Sequence, residues 1–411
     1  MTFLLYKTKL ESWYYMNKEA KKILILSSLV WIVSNLLHPV TPTHFTNLNL
    51  PDHVFGTSYA AMVFSMFLTA PIWGSIGDKG NRIKVLSIVT FLYGIFQIGL
   101  GLVTTLTGVI IMRSLAGMVS SGFHVGLMSA LVDVSEPDKR KLNMTNYAAI
   151  MSVSGSIGFL LGGIIGYLPT IWVFIIQGMC MILISLGIKL FIKETNPQVK
   201  EDTSKKTVFI WDLLRDAKKS KEVFSFWILI FLGITFFVGI AYSGNNNAFN
   251  YYLKAELNMK PIVNGVWKAL TGVLGLIANL TINVWLINKT NIKKSIVGLL
   301  FLSTAFGFLV FIYNDLYPFL IFNLIFFTLY TIQVPILQGF AVEGQFKDVG
   351  FMAGLYNAVK SLGEMLGSTI AGFSYDYNSK LPFLIGTMAF GIALVLSLIN
   401  YFKNEIDKVV E

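Results

Sequence analysis

The sequence predicts an all-α integral membrane protein with twelve transmembrane helices. Apolar residues make up 55% of the 411 positions, charged residues only 13%, and the mean hydropathy is +0.66, whereas soluble domains carry about 25% charged residues. A helix needs roughly 20 apolar residues to cross a hydrocarbon core of about 30 Å. Segments of that length lie at residues 22–40, 54–77, 85–104, 107–133, 143–168, 170–192, 223–244, 261–287, 294–313, 317–342, 349–375 and 381–402. The ten-residue alternation of a membrane β-barrel is absent from the sequence.

The basic residues predict the orientation of these segments. Lys and Arg are retained on the cytoplasmic side of a membrane, and here they concentrate in both tails and in alternate loops, leaving Lys254, Lys260 and Lys380 on the other face. Both termini are therefore predicted to be cytoplasmic, in a multi-pass protein of the cell membrane. The net charge of +10 reflects this topology and attraction to anionic lipids, and nucleic acid is not expected as a partner. No cleavable signal peptide is predicted, and the lone Cys180 excludes a disulfide framework.

A weak internal repeat divides the chain into two halves. Residues 193–222 form a polar, charged linker, so the predicted domains are an N-terminal six-helix bundle (1–192) and a C-terminal one (223–411). Shifting the sequence by 209 residues aligns LNLPDHVFG with LNMKPIVNG, which pairs Asn49 with Asn258 and Gly56 with Gly265. Two bundles in parallel orientation are typical of a transporter with its site between the halves.

One loop carries a specific signature. GSIGDKGNRIKV, at residues 74–85, resembles the loop 2-3 signature of the major facilitator superfamily, with Gly74, Asp78, Lys79 and Arg82 at its usual positions and Asn81 in place of its second glycine. With Asp133 at the end of the fourth segment as acceptor for Arg82, these residues form a predicted conformational latch, which the resemblance implies favours the outward-facing state. The simpler alternative is a topological anchor that only retains this loop in the cytoplasm.

Two further motifs agree with that resemblance. RSLAGMVSSG, at residues 113–122, is similar to the fourth-helix signature of the superfamily, and GSIGFLLGG, at 155–163, to the fifth-helix signature of its antiporters, without their usual proline. In the latter, close helix packing is expected at Gly155, Gly158, Gly162 and Gly163. The resemblance implies the major facilitator fold and, within it, the 12-helix drug:proton antiporter branch. It also implies alternating access powered by a proton gradient, without a bound cofactor.

Four charged residues fall inside the predicted spans, where each costs at least about 2.5–3.5 kcal/mol on insertion scales. They are Arg113, Lys268, Lys360 and Glu364. Lys360 and Glu364 are four residues apart and can pair on one helical face, so a fixed ion pair is one reading of Glu364 and a coupling proton site is the other. The candidates for proton coupling are Glu364, Arg113 and His38. The candidates for lining a substrate cavity are Asn35, Arg113, Asn245, Lys268, Gln333, Asn357, Lys360 and Glu364.

Two functions remain compatible with these residues. The first is proton-coupled, multidrug-type efflux of a small amphiphilic solute. The second is a carrier for an anionic or zwitterionic metabolite such as an organic acid, a sugar derivative or a lipid-like solute, since the spans hold three basic residues and one carboxylate. The sequence contains no GxxxxGK[ST] loop for ATP, no metal cluster and no nucleophile with a base partner, so an enzyme is not expected. A monomer is expected, with its substrate and membrane lipids as partners.

Overall fold

The computed structural model describes residues 17–196, 226–342 and 349–410, and all regular secondary structure in these ranges is helical. The predicted linker lies largely outside the described residues. The helices are α1 (Lys18–Asn35), α2 (Thr41–Asn47), α3 (Val54–Lys79), α4 (Arg82–Leu102), α5 (Leu106–Asp133), α6 (Arg140–Ile165), α7 (Thr170–Phe191), α8 (Phe226–Ala255), α9 (Pro261–Lys289, with a π-helical turn at Asn279–Asn283), α10 (Ile292–Ile312), α11 (Leu316–Val342), α12 (Val349–Tyr377) and α13 (Leu381–Val410).

The helices identify a multi-pass membrane protein. Ten of those in the described ranges are long and apolar enough to cross a membrane. The two other long helices, α1 and α12, coincide with the first and eleventh predicted spans. Each carries several charged residues, such as Lys360 and Glu364 on α12, which lowers its hydropathy. The count of twelve spans therefore stays a prediction, while the all-α membrane fold is confirmed.

The helices pack mainly within each half of the chain. In the first half, α3 packs on α5, α4 on α7 and α1 on α6; in the second, α8 packs on α12 and α13, and α10 on α13. Close approach depends on glycine, because a Cβ at Gly158 would collide with the carbonyl oxygen of Ile32 on α1, and a Cβ at Gly162 with that of Leu36 just after α1. The halves meet through α3 against α12 and α6 against α9.

The internal repeat is visible in the backbone. In the described part of the chain, the non-glycine residues with positive φ are Asn49 (52°) and Asn258 (47°), which the 209-residue shift aligns. Asn tolerates this left-handed conformation better than most residues. Asn81 and Asn291 are also related, because each side chain caps the following helix by accepting an N–H, from Lys84 and Lys293 respectively. The cap explains why an asparagine replaces the usual glycine of the loop signature.

Two predicted helix boundaries are wrong. The first span was expected to continue to residue 40, but α1 ends at Asn35, and α2 begins at Thr41 with Pro42 in its first turn. The seventh span was expected to end at residue 244, but α8 continues to Ala255. Its run of asparagines does not break the helix, because the side chain of Asn247 donates back to the carbonyl of Ser243 one turn earlier.

The two ends of the bundle differ in charge and in packing. We call the end with loops 80–81, 134–139, 192–196 and 290–291 the basic face, and the end with loops 48–53, 166–169, 256–260 and 378–380 the opposite face. Near the opposite face the two halves touch closely. A Cβ at Gly56 on α3 would collide with the backbone of α12 at Ser368 and Gly372, and a Cβ at Gly265 on α9 would collide with α6 at Phe159. The two halves are therefore closed against each other near the opposite face.

Candidate functional site

Arg113 lies between the halves with no carboxylate paired to it among the described residues. Its side chain on α5 is only 8% exposed. One guanidinium nitrogen donates to the hydroxyl of Thr41 on α2 (3.2 Å), and another contacts the sulfur of Met62 (3.9 Å). The Nε atom is buried without a hydrogen-bond partner. The site therefore contains a buried positive charge that neutral groups hold in place but do not neutralise.

Lys360 and Glu364 form the ion pair that their spacing predicts. Nζ of Lys360 lies 3.3 Å from a Glu364 carboxylate oxygen, and the two side chains are 26% and 16% exposed. The phenol groups of Tyr59, Tyr242 and Tyr330 lie within electrostatic range of that carboxylate. The tyrosines come from both halves of the chain, so the pair is placed where the halves meet.

Two of these tyrosines form an aromatic surface beside the pair. The rings of Tyr242 on α8 and Tyr330 on α11 are parallel, with centroids 3.6 Å apart and an interplanar angle of 5°. Parallel aromatic rings offer a flat, adaptable contact for apolar or cationic groups. The sequence alone did not predict this pair, because tyrosines are common in the chain and nothing in their spacing links α8 to α11.

Lys268 on α9 is held by neutral groups as well. Its ammonium group donates to the amide oxygen of Asn246 and lies 4.2 Å from the ring centroid of Phe327 and 5.6 Å from that of Phe249. A cation above an aromatic face is stabilised by the ring quadrupole. No carboxylate pairs with Lys268 in the described ranges, so the centre holds a second cation without an ionic partner.

A cavity of about 40 Å³ opens beside Arg113, between the two halves. The N-terminal half supplies its cationic and hydroxyl groups, and the C-terminal half supplies amides and a phenol. The lining residues are His38, Thr41, Pro42, Phe45, Phe55, Ser58, Tyr59, Arg113, Asn247, Asn250 and Tyr251. The amide oxygen of Asn250 is buried without a partner. Polar residues from both halves therefore line the cavity.

The other predicted cavity residues are placed differently. Asn245 is 1% exposed, donates to the carbonyl of Ala241 and packs against α13. Gln333 is 2% exposed and donates to Ser303 on α10 (2.6 Å). Both side chains hold the C-terminal bundle together and do not line the cavity beside Arg113, because polarity alone does not reveal which helix face is buried. His38 does line this cavity, and its ring stacks on Phe159 at 5.1 Å.

Two further predicted residues lie near the site without joining that cavity. Asn35 donates to the carbonyl of Trp31 on its own helix (2.7 Å) and lies near Gly155, where a Cβ would meet its amide at 3.7 Å. Asn357 lies on α12 with its side chain exposed. Among the cavity residues that the sequence reasoning missed, Asn247 and Asn250 are the clearest, because they belong to the part of α8 beyond its predicted end.

At the basic face, Arg82 joins two carboxylates. Its Nη2 lies 2.7 Å from Asp78 and its Nε 3.0 Å from Asp133. The exposed fractions are 8% for Arg82, 64% for Asp78 and 17% for Asp133, so the pair with Asp133 is the better shielded one. Glu194 accepts hydrogen bonds from the backbone N–H groups of Arg82 and Ile83. The contacts connect α3, α4, α5 and the chain after α7.

The remaining residues of the predicted latch are Gly74 and Lys79. A Cβ at Gly74 would meet Val125 on α5 at an ordinary 3.6 Å, and Lys79 ends α3. The contacts of Asp78 and Arg82 described above all lie within the first half of the chain.

At the opposite face, polar contacts cross between the halves. The backbone N–H of His53 donates to one oxygen of Asp376 (2.9 Å), and its ring Nδ1 lies 2.8 Å from the other. The hydroxyl of Tyr251 donates to Asp52 (2.8 Å), and the ring of Tyr251 stacks on Phe55 at 4.9 Å. Sequence reasoning missed these contacts, because the partners are separated by 199 and 323 positions.

Comparison with known proteins agrees with this architecture. A sequence model described as Major Facilitator Superfamily matches residues 23–345. Multidrug resistance protein 2 of Bacillus subtilis (strain 168) is 22% identical over 392 residues, which cover 93% of this chain and 96% of the relative. Quinolone resistance protein NorA of Staphylococcus aureus (strain COL) is 21% identical over 387 residues, with the same two coverages of 93% and 96%.

Solved structures share the fold at lower identity. A mutant of the nucleoside transporter NupG superimposes with a TM-score of 0.74 at 15% identity, covering 93% of this chain and 99% of that one. A bacterial homolog of the human lysosomal transporter Spinster, inward-facing and unoccupied, also has a TM-score of 0.74 at 14% identity, with coverages of 94% and 98%. By its sequence match and its helical fold, the chain belongs to the Major Facilitator Superfamily and is a transporter, not an enzyme.

Proposed function

We propose that the protein is a secondary active transporter that exports amphiphilic small molecules across the cytoplasmic membrane in exchange for protons. The observation that carries the proposal is the Lys360–Glu364 pair, a half-buried ion pair at the meeting of the halves beside the parallel rings of Tyr242 and Tyr330. An aromatic surface next to one titratable group can bind varied apolar solutes and respond to a proton. The names of the relatives in Bacillus subtilis and Staphylococcus aureus support multidrug-type efflux.

The proposed cycle alternates between closure of the two faces. With the termini in the cytoplasm, the opposite face is extracellular, and the contacts of Gly56 with α12 close it. A solute then enters from the cytoplasm and occupies the space between the halves. Protonation of Glu364 removes the negative charge that pairs with Lys360, whereas deprotonation restores the pair, so the proton and the solute act on the same interface. Proton entry from outside then drives solute exit.

The test uses purified protein in liposomes that enclose a pH-sensitive dye. A proton gradient is imposed, and ethidium, Nile red and 8-anilinonaphthalene sulfonate are added in turn as cationic, neutral and anionic amphiphiles. We expect solute-dependent proton flux in the wild type and its loss in Glu364→Gln. Glu136→Gln, at an exposed pair with Lys139, is the matched control and should keep the flux. Solute movement without proton flux, unaffected by Glu364→Gln, would contradict proton coupling and leave Glu364 as a structural partner of Lys360.

A further inference from the structure

The buried guanidinium of Arg113 has an unmet requirement for a negative partner. A charge in the middle of a membrane helix costs at least about 2.5–3.5 kcal/mol on insertion scales, and buried charges are normally paired. Thr41 does not satisfy it, because its hydroxyl already donates to the carbonyl of Leu37 (2.8 Å) and offers Arg113 only a neutral acceptor. No carboxylate pairs with Arg113 among the described residues.

The cavity beside Arg113 has the size of one small anionic group. Its volume of about 40 Å³ compares with the roughly 10–15 Å³ needed for one water molecule. The cavity is therefore large enough for a small group such as a carboxylate. Whole drug-sized ligands occupy pockets of about 300–1,000 Å³, so this cavity fits the head group of a ligand and not the entire molecule.

The chemistry of the walls fits a carboxylate attached to an apolar body. Arg113 lines the cavity and supplies N–H donors in the planar arrangement that binds carboxylates with two hydrogen bonds. Asn250, which also lines the cavity, contributes an amide from the other half, and an amide can donate a hydrogen bond as well as accept one. Phe45 and Phe55 supply apolar walls. A ligand here would contact both halves, so its binding can bias their movement.

We propose that this cavity is the subsite for the carboxylate of an amphiphilic acid or zwitterion that the protein transports. The inference rests on the proposed function for the remainder of the substrate, and it deepens that function by assigning the charge of the head group. Lys268, the second cation without an ionic partner, strengthens the positive potential of the centre. The pair of Lys360 with Glu364 leaves that excess of positive charge unchanged, because the two charges cancel.

The binding test uses 11-(dansylamino)undecanoic acid and its methyl ester as probes, which differ only in the carboxylate. The full chain is placed in lipid nanodiscs at pH 7.5, dansyl fluorescence is titrated, and the signal from empty nanodiscs is subtracted. We expect the acid to bind at least about ten-fold more tightly than the ester. Arg113→Gln should reduce this ratio to about one while changing ester affinity less than two-fold. Arg140→Gln, the same change at an exposed arginine, should keep the ratio.

A second variant tests the subsite with Arg113 intact. Asn250→Asp places a carboxylate in the cavity, so acid binding should weaken at least about ten-fold and ester binding should change little. Equal affinity of the wild type for acid and ester, or an equal loss of both in Arg113→Gln, would overturn the inference. Dye transport in the liposome assay would then still support the proposed export, because that assay does not depend on the subsite. Conversely, a carboxylate preference that depends on Arg113, without transport of any dye, would overturn the proposed export and leave the subsite supported.

Discussion

Gly56 packs against Gly372 near the opposite face, and a Cβ on either residue would touch the backbone of the other helix. The same contact occurs a second time, because Gly265 packs against Gly163 in the same way. The 209-residue shift that aligns Gly56 with Gly265 also aligns Gly163 with Gly372. The two helix crossings that close this face are therefore related by the internal repeat, as expected for a pair of similar bundles around a pseudo-two-fold axis.

This relationship predicts that Gly56→Val prevents closure of the opposite face. The obstructing atoms are the backbone of Ser368 and Gly372, which cannot rotate away as a side chain can, so α3 and α12 must separate. We expect solute-dependent proton flux in the liposome assay to fall at least about ten-fold. A membrane-impermeant thiol reagent should then label Ser58→Cys, in a Cys180→Ser background, faster from the opposite face.

The matched control is Gly298→Val. A Cβ at Gly298 on α10 would meet nothing within 4 Å, so this variant should keep both transport and slow labelling. Wild-type transport by Gly56→Val would show that the contact between α3 and α12 does not need to form during the cycle.

The His53–Asp376 contact predicts that substitutions of Asp376 weaken closure of the opposite face to different degrees. Asp376 accepts from both the backbone and the ring of His53, and hydrogen bonds to a charged group contribute about 1.5–3 kcal/mol. Asp376→Ala removes both acceptors, whereas Asp376→Asn keeps one neutral acceptor. We expect labelling of Ser58→Cys to be faster in the Ala variant than in the Asn variant, and faster in both than in the wild type. Asp315→Ala, at an exposed aspartate of the same face, should have no effect; equal rates in all variants would contradict a role in closure.

The membrane fold was predictable from the sequence because hydropathy and basic loops report directly on lipid contact. The repeat was predictable too, because a shift of 209 residues aligns Asn49 with Asn258. Both residues adopt the same rare backbone conformation in the structure. The ends of the helices were less predictable from the sequence. The asparagines of α8 are usual in turns, and the side-chain bonds of Asn245 and Asn247 to carbonyls one turn earlier, which let the helix continue, depend on packing that no local pattern reveals.

The candidate site was also predictable only in part. Lys360 and Glu364 could be predicted as neighbours because four residues make one helical turn. Arg113 could be singled out by the cost of its charge, but its surroundings could not, since Thr41 and Asn250 come from distant segments. Gln333 was expected at the cavity because it is polar, and it is instead satisfied by Ser303 between two helices of one bundle. Contacts between segments therefore limit what the sequence alone can indicate.

Lys380 predicts a pH-dependent stability at the opposite face. This loop residue donates to the carbonyl of Tyr313 (3.0 Å) and lies 4.1 Å from the ring centroid of Phe319. Burial lowers the pKa of Lys380 to about 8, compared with about 10.4 in an unfolded chain. Between these values the unfolded chain binds more protons, so this group raises the free energy of unfolding as pH increases through that window.

Thermal unfolding in detergent, followed by tryptophan fluorescence at pH 7.5 and 9.5, measures this effect. The melting temperature of the wild type relative to Lys380→Gln should rise between the two pH values. Lys254→Gln, at the end of α8, controls for general loss of a lysine and should show the pH profile of the wild type. Parallel profiles for the wild type and Lys380→Gln would contradict a perturbed lysine.

The contacts of Arg82 predict that the loop signature stabilises the first half of the chain. Arg82→Ala leaves Asp133 without its cation, and a buried polar group that loses its partner costs about 1–3 kcal/mol. Arg82→Lys should recover only part of this, because an ammonium group cannot offer the planar fork that reaches both Asp78 and Asp133. We expect melting temperatures in the order wild type, Arg82→Lys, Arg82→Ala. Lys84→Ala, an exposed residue in the same first turn of α4, should melt like the wild type.

Transport then separates a latch from a topological anchor. A latch that favours the outward-facing state requires that solute transport falls in Arg82→Ala even at temperatures where the variant stays folded. Labelling of Ser58→Cys from the opposite face should then be slower than in the unsubstituted protein, because the outward-facing state is less populated. An anchor requires only basic charge in the loop, so Arg82→Lys would transport like the wild type and Lys84→Ala would be as harmful as Arg82→Ala. Because Arg82 is only 8% exposed and bridges two carboxylates, whereas Lys84 is exposed, we expect the two alanine variants to differ and the anchor role alone to be insufficient.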